Sequence, residues 1–201
     1  MRGVLWCNGS IPNESVVEWV LSAGVPIFGV DGGADKAYGI GVEVVEVLGD
    51  MDSVDESAWR GRTLPLNEQS SSDLAKSIGE LIRRGFDEIE IVGADGGDPS
   101  HILGNWAVMN DSPSGARIRI HHEEQVSTRI HPDDGEFSIE FEEGEIFSVF
   151  AIGTGKVWIT GARWEVDGEN LGLSSRGLHN EGRGAVVKIK GEGVLLLISK
   201  R

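Results

Sequence analysis

Four aspartates in the first half of the chain stand in short settings marked by glycine or serine. Asp31 lies in Asp31-Gly32-Gly33, Asp50 and Asp52 in Gly49-Asp50-Met51-Asp52-Ser53, and Asp73 in Ser72-Asp73-Leu74. The first three follow apolar runs. In an α/β domain such positions are the carboxyl ends of parallel strands, the edge where ligands bind. Carboxylates converging there suit Mg²⁺, which takes hard oxygen ligands and commonly holds substrate phosphates. Each motif also has a structural reading. The Asp50–Asp52 turn can be an Asx turn capping a helix that starts near Asp55. Asp31-Gly32-Gly33 can be a turn and N-cap, and an acid at Asp73 suits the first turn of a helix. Their recurrence at loop positions along one sheet edge favours the metal reading. Gly93-Ala94-Asp95-Gly96-Gly97 lies between a strand and a helix, where glycines let backbone N–H groups approach phosphate. It lacks the Lys-Ser/Thr of a Walker A loop and the third glycine of a dinucleotide fingerprint.

The elements that must position these groups follow from periodicity. Residues 2–7, 25–30, 44–48 and 89–92 are apolar strands, and 63–66 is a short extended piece. Residues 13–23 have helical spacing. Residues 71–84 form a helix with Leu74, Ile78, Leu81 and Ile82 on one face and Gly85 as its stop. A further helix runs from Pro99 to about Asn110. Strands alternating with helices predict βαβ units and a mostly parallel sheet with flanking helices. Near residue 115 the pattern changes to short alternating strands at 117–121, 125–131, 137–141, 146–152, 156–160, 163–166, 185–190 and 194–199. That predicts an antiparallel β-sandwich or barrel. The expected organisation is an α/β domain over 1–118 and an all-β domain over 119–201.

Acidic residues number 33 and basic ones 18, a net charge of −15. Such a surface repels phosphate backbones and argues against a nucleic-acid partner, while one metal ion can invert the local sign for a nucleotide. Glu136, Glu140, Glu142, Glu143 and Glu145 read as a solvated strand face and hairpin. The single cysteine, Cys7, excludes an intrachain disulfide and a cysteine-based zinc cluster; it reads as a small core residue. No apolar run is long enough to span a bilayer, and Asn8-Gly9 turns polar too soon for a signal peptide. A cytoplasmic protein is expected.

These motifs, in this order, resemble those of the thiamin pyrophosphokinase family over nearly the full chain. Asn8-Gly9 is similar to its opening Asn-Gly, Asp31-Gly32-Gly33-Ala34 to its Asp-Gly-Gly-Ala, and Gly49–Ser53 to its Gly-Asp-x-Asp-Ser. Gln69-Ser70-Ser71-Ser72-Asp73 resembles Gln-Asp-x-Thr-Asp. Gly96-Gly97 through His101, Leu103 and Asn105 follows Gly-Gly-Arg-x-Asp-His-x-Leu-x-Asn. In the β half, Ser148, Thr160-Gly161-Ala162-Arg163-Trp164 and Ser175-Arg176-Gly177-Leu178-His179-Asn180 have counterparts.

The resemblance implies Mg²⁺-dependent transfer of pyrophosphate from ATP to the hydroxyl of thiamin, releasing AMP, by a homodimer with thiamin near the subunit interface. It implies that Asp50, Asp52 and Asp73 are the catalytic metal ligands. Nucleotide and substrate contacts would come from Asn8, Asp31, Gly32, Gly33, Gln69 and Ser72, from Gly96, Gly97, Ser100, His101 and Asn105, and on the thiamin side from Trp164, Ser175 and Asn180. From its residue type alone, Trp164 fits a sandwich core more readily than a platform for a cationic ring. The family's Arg is Asp98 here and its Asp is Ser100. Ser70, Ser72 and His179 also depart from the pattern. Asp98-Pro99 reads as an N-cap followed by proline in the first turn. The acceptor therefore stays open between thiamin and another hydroxymethyl heterocycle such as a hydroxymethyl-dihydropterin, with a non-catalytic binding homologue as the third reading. Arg176 or Arg183 is expected to enter the phosphate site in place of the missing arginine.

Overall fold

The computed structural model describes residues 1–55, 57–68 and 70–201. Its first unit, Met1–Glu123, contains β1 (Arg2–Trp6), α1 (Glu14–Ser22), β2 (Ile27–Val30), α2 (Gly33–Gly39), β3 (Glu46–Gly49), β4 (Thr63–Pro65), α3 (Asp73–Arg83), β5 (Glu88–Val92), α4 (Pro99–Asp111) and β6 (Arg117–His121). The strands pair in parallel in the order β6-β5-β1-β2-β3-β4. β1, β2 and β5 are buried over most of their length, as strands covered on both faces must be. The chain lays β2, β3 and β4 to one side of β1, then returns to lay β5 and β6 on the other. This reversal makes the carboxyl edge around β1 a ligand crevice.

Local chemistry sets the helices. The Asn13 side chain caps α1 by accepting from Val16 N at 3.0 Å, Ser72 caps α3, and Asp98 caps α4 with Pro99 in its first turn. α3 buries Leu74, Ser77, Ile78 and Leu81. The Arg84 guanidinium bridges Glu80 of α3 to Glu46 of β3, which fixes the helix against the strand. α2 is pressed onto the sheet: a Cβ on Gly33 would lie 2.1 Å from the Trp6 carbonyl oxygen, and one on Gly29 2.4 Å from Ala34 Cβ.

The second unit, Glu124–Arg201, contains β7 (Gln125–Ile130), β8 (Phe137–Phe141), β9 (Ile146–Ala151), β10 (Gly155–Thr160), β11 (Val166–Leu171), β12 (Asn180–Glu181), β13 (Ala185–Gly191) and β14 (Leu195–Lys200). One antiparallel sheet runs β12-β9-β14-β7 and the other β11-β10-β13-β8. Their facing side chains form one core, with Phe141, Phe147 and Leu197 joined to Val157, Val187 and Ile189. That is a β-sandwich, so the chain is α/β followed by antiparallel β. Among the described residues no helix is long and apolar enough to cross a membrane.

One local expectation is extended and two differ. The turn and N-cap read at Asp31-Gly32-Gly33 opens α2, a helix whose extent the sequence does not mark because Gly-Ala-Asp-Lys-Ala-Tyr-Gly is short and glycine-flanked. Among the described residues no helix starts near Asp55; residues 57–61 form turns. The strand expected over 163–166 lies instead at Val166–Leu171, whose Asp167, Glu169 and Asn170 hide the apolar alternation. Its ladder with β10, bulged at Val157/Trp158, supplies the order.

The two bonds from Arg83, and after them the one from Arg84, hold the Glu80 carboxyl down at about 2, against burial that pushes it up. Its stabilising effect is complete above the ordinary glutamate value and is lost as pH falls toward 2. Glu80→Gln should lower the unfolding free energy by about 1 kcal/mol at pH 7. In urea titrations the difference should fade as pH is taken down from 4.5 toward 2.

Candidate active site

The carboxyl edge of the first sheet gathers three acids from three elements. Asp31 follows β2 with φ 48°, in the left-handed region that aspartate tolerates better than most residues. Its N–H donates to Leu48 O of β3 at 2.9 Å. Asp50 follows β3 after Gly49, where a Cβ would come 3.1 Å from Asp31 Cβ. Asp73 opens α3, directly after its cap Ser72. One carboxylate oxygen each from Asp31, Asp50 and Asp73 lies within 4.8 Å of the other two.

Asp52 is outside this group, and Asp31 stands where the sequence pattern assigned Asp52. The reason is an Asx turn. Asp50 Oδ1 accepts from Asp52 N at 3.2 Å, and Met51 at φ 69° reverses the chain. Asp52 is left exposed, with its Oδ1 accepting from Ser53 Oγ at 2.6 Å.

Burial pushes the Asp31 carboxyl up, the bonds from Ser53 oppose it, and the nearby negative charge of Asp52 adds to the rise. Lys76 Nζ lies 2.7 Å from Asp73 Oδ1 while donating to Leu66 O and Glu68 O. The ammonium is off hydrogen-bonding direction, so that buried oxygen has no hydrogen bond among the described residues. Three hard oxygen donors and an unsatisfied carboxylate oxygen fit Mg²⁺.

The other half of the edge is closed by backbone bonds. Gly9 N donates to Gly93 O at 2.8 Å and Ser10 N to Asp95 O at 2.6 Å. Asn105 Nδ2 donates to Ala94 O at 2.8 Å, and the Asp95 carboxylate holds His122 Nδ1, whose ring stacks on Trp106. The carbonyls of Gly93, Ala94 and Asp95 are thus occupied by protein. Gly96 and Gly97, at φ 78° and 81°, have N–H groups with no acceptor among the described residues. Gly32 packs where a Cβ would be 2.6 Å from Asn8 Nδ2 and 2.7 Å from Ser53 O. Lys36 Nζ donates to Asn8 O and Gly9 O, both at 2.6 Å.

Several sequence candidates have structural partners. Ser72 Oγ accepts from Ala75 N. Asp98 Oδ1 accepts from Ser100 N at 2.8 Å and Ser100 Oγ at 2.6 Å, and these bonds hold its carboxyl below the usual range. His101 is exposed in the first turn of α4. Gln69 lies outside the described residues.

In the sandwich, Trp164 is 54% exposed, which overturns the core reading. The surrounding acids and arginines leave its indole at the surface, where the Arg163 guanidinium lies 4.8 Å from the ring centroid. Asn180 fixes the Trp164 backbone by accepting from its N–H at 3.1 Å and donating to its carbonyl at 2.7 Å. Both residues line a cavity of about 100 Å³ whose walls include Val149, Val157 and Ile159. Ser175 begins the short 3₁₀ turn whose Arg176 lines the same cavity and pairs with Glu169 at 2.7 Å. Arg183 is exposed in the same unit. The amines at the carboxylate edge are Lys36 and Lys76, which the sequence reading missed. The i, i+3 spacing of Asp73 and Lys76 was the available signal.

Fold and site together define a two-part protein, a doubly wound α/β unit with three carboxylates at its ligand edge and a β-sandwich after it. No family model matches the chain. A curated relative, the thiamine pyrophosphokinase of Bacillus subtilis (strain 168), is 26% identical over 187 residues, covering 85% of each chain. The crystal structure of thiamine pyrophosphokinase from Bacillus subtilis matches all of this chain and 99% of its own, with TM-score 0.78 and 21% identity. Thiamin pyrophosphokinase from Candida albicans matches 99% of this chain and 89% of its own, with TM-score 0.76 and 11% identity. At such identities the solved structures establish the fold. The curated relative and the ordered motifs make the chain similar to the thiamin pyrophosphokinases across both units.

Because burial pushes the Asp31 carboxyl up, ionising it costs the folded metal-free protein more than it costs the unfolded chain. Its ionisation therefore costs stability as pH rises above the ordinary aspartate range. In chelator, Asp31→Asn should raise Tm by about 2–4 °C at pH 7, with a smaller gain at pH 4 by scanning calorimetry.

Proposed function

We propose that this chain is an ATP-dependent diphosphotransferase that converts thiamin and ATP to thiamin diphosphate and AMP. The observation that carries this reading is the convergence of Asp31, Asp50 and Asp73 from two strand ends and a helix start. A divalent ion held by these three would neutralise charge on the transferring phosphates. Asp52 adds negative charge beside the cluster. The N–H groups of Gly96 and Gly97 are available to phosphate oxygens, where preorganised donors lower the barrier. The acceptor hydroxyl oxygen forms a bond to the β-phosphorus. The bond from that phosphorus to the α,β-bridging oxygen breaks, AMP leaves with that oxygen, and the hydroxyl proton is released.

The 1–118 domain takes the nucleotide side, and the 119–201 domain the acceptor side. The exposed indole of Trp164, pinned by Asn180, offers a π-face to a cationic heteroaromatic ring. The likeness to thiamin pyrophosphokinases supports thiamin as that acceptor, and with it a cytoplasmic homodimer whose acceptor site lies near the subunit interface.

A coupled assay of AMP release with Mg-ATP and a panel of alcohols tests the reading. Release with thiamin alone is expected. Release only with a hydroxymethyl-dihydropterin would reassign the acceptor, and calorimetric binding without turnover would make the chain a non-catalytic homologue. Asp50→Asn should lower kcat about 10³-fold or more with an unchanged circular dichroism spectrum. Full activity in that variant rejects the metal assignment.

A further inference from the structure

α2 lies between the loops that leave β1 and β3, and two consecutive residues of it grip one loop each. Lys36 holds the Asn8 and Gly9 carbonyls on the β1 side. Asp35 takes the β3 side with both oxygens: Oδ2 accepts from Asp55 N at 2.9 Å, and Oδ1 from Trp59 Nε1 at 2.7 Å. Trp59 is 1% exposed. Tyr38 stands edge-on to its ring at 5.9 Å, and the Arg62 guanidinium lies 4.6 Å from its centroid. The segment bearing Asp50 is therefore anchored at one end by β3 and at the other by a buried indole on Asp35. Asp35 itself follows Asp31 by four residues. A long 3.4 Å bond from Ser53 N to Asp31 Oδ1 accompanies this anchor.

We infer that Asp35 is a positioning residue that, through Trp59 and Asp55, holds Asp50 at the separation from Asp31 that a divalent cation needs. The inference rests on the metal role of the cluster proposed above. Like charges repel, so an untethered Asp50 segment relaxes away from Asp31. Cation binding must then reorder that segment, and affinity falls by the cost of doing so. Asp35 touches no reacting atom.

The test uses Mn²⁺ alone, without nucleotide, on chelator-stripped full-length protein, with free Mn²⁺ read by electron paramagnetic resonance. Trp59→Phe removes the indole N–H and keeps an aromatic ring; Asp35→Asn removes the charge. Each should weaken Mn²⁺ binding about 10-fold, the scale typical of residues that orient metal ligands. Asn13→Ala, which removes the cap of α1 and touches neither loop of the cluster, should stay within two-fold of the parent. A merely structural role would move all three in step with their loss of Tm. Unchanged Mn²⁺ affinity in both Asp35→Asn and Trp59→Phe, or an equal loss in Asn13→Ala, overturns the inference. If the parent binds no Mn²⁺, the metal reading fails by itself, and amide hydrogen exchange then decides the clamp. Exchange over 50–55 should be at least 10-fold faster in Trp59→Phe, and an unchanged rate overturns it.

Discussion

Repulsion among three carboxylates is the constraint to which the rest of the first unit answers. With one oxygen of each within 4.8 Å of the other two, their negative charges oppose one another, in a chain whose net charge is already −15. No single contact holds them. Asp31 is set by a left-handed backbone and a bond to Leu48, Asp50 by Gly49 and its Asx turn, and Asp73 by the Ser72 cap. The Glu46–Arg84–Glu80 bridge then keeps α3 registered on β3. The one amine beside Asp73, Lys76, offsets part of the charge.

The opposite half of the edge is organised by a different rule. There the carbonyls of Gly93, Ala94 and Asp95 are satisfied by Gly9, Ser10 and Asn105. An acidic chain thus presents unpaired N–H groups of Gly96 and Gly97 where an anion could approach. Two of the residues that depart from the thiamin pyrophosphokinase pattern, Asp98 and Ser100, bond to each other at the start of α4. Their chemistry is absorbed by helix capping, which explains how an acid is tolerated beside a donor-rich loop.

Much of this was legible in the sequence. Uniformly apolar runs revealed the buried parallel strands, the 3.6 period revealed α3, and short alternating segments revealed the sandwich. Asp98-Pro99 announced its own cap. What was hidden depended on direction and partner. Asp50 and Asp52 are equivalent in sequence, but a positive φ at Met51 turns one inward and the other to solvent. Asp31 looked like a turn residue until the register of β2 against β3 set it beside Asp50. β11 carries too many polar residues to show a pattern, and α2 is too short. Trp164 looked like core, because residue type reports hydrophobic content and says nothing of the side from which Asn180 grips its backbone.

β1 sits inside the parallel sheet, paired in register with β2 and, across a long stretch of intervening chain, with β5, from Arg2↔Glu88 to Trp6↔Val92. During synthesis it emerges before both of its neighbours and must wait for most of the unit before the second of them exists. Until then one of its hydrogen-bonding borders is open, and closing it requires a large loop to form against chain entropy. The nascent unit is therefore most vulnerable to sticking to other chains in this interval, and its acidity supplies the repulsion that keeps copies apart while they wait.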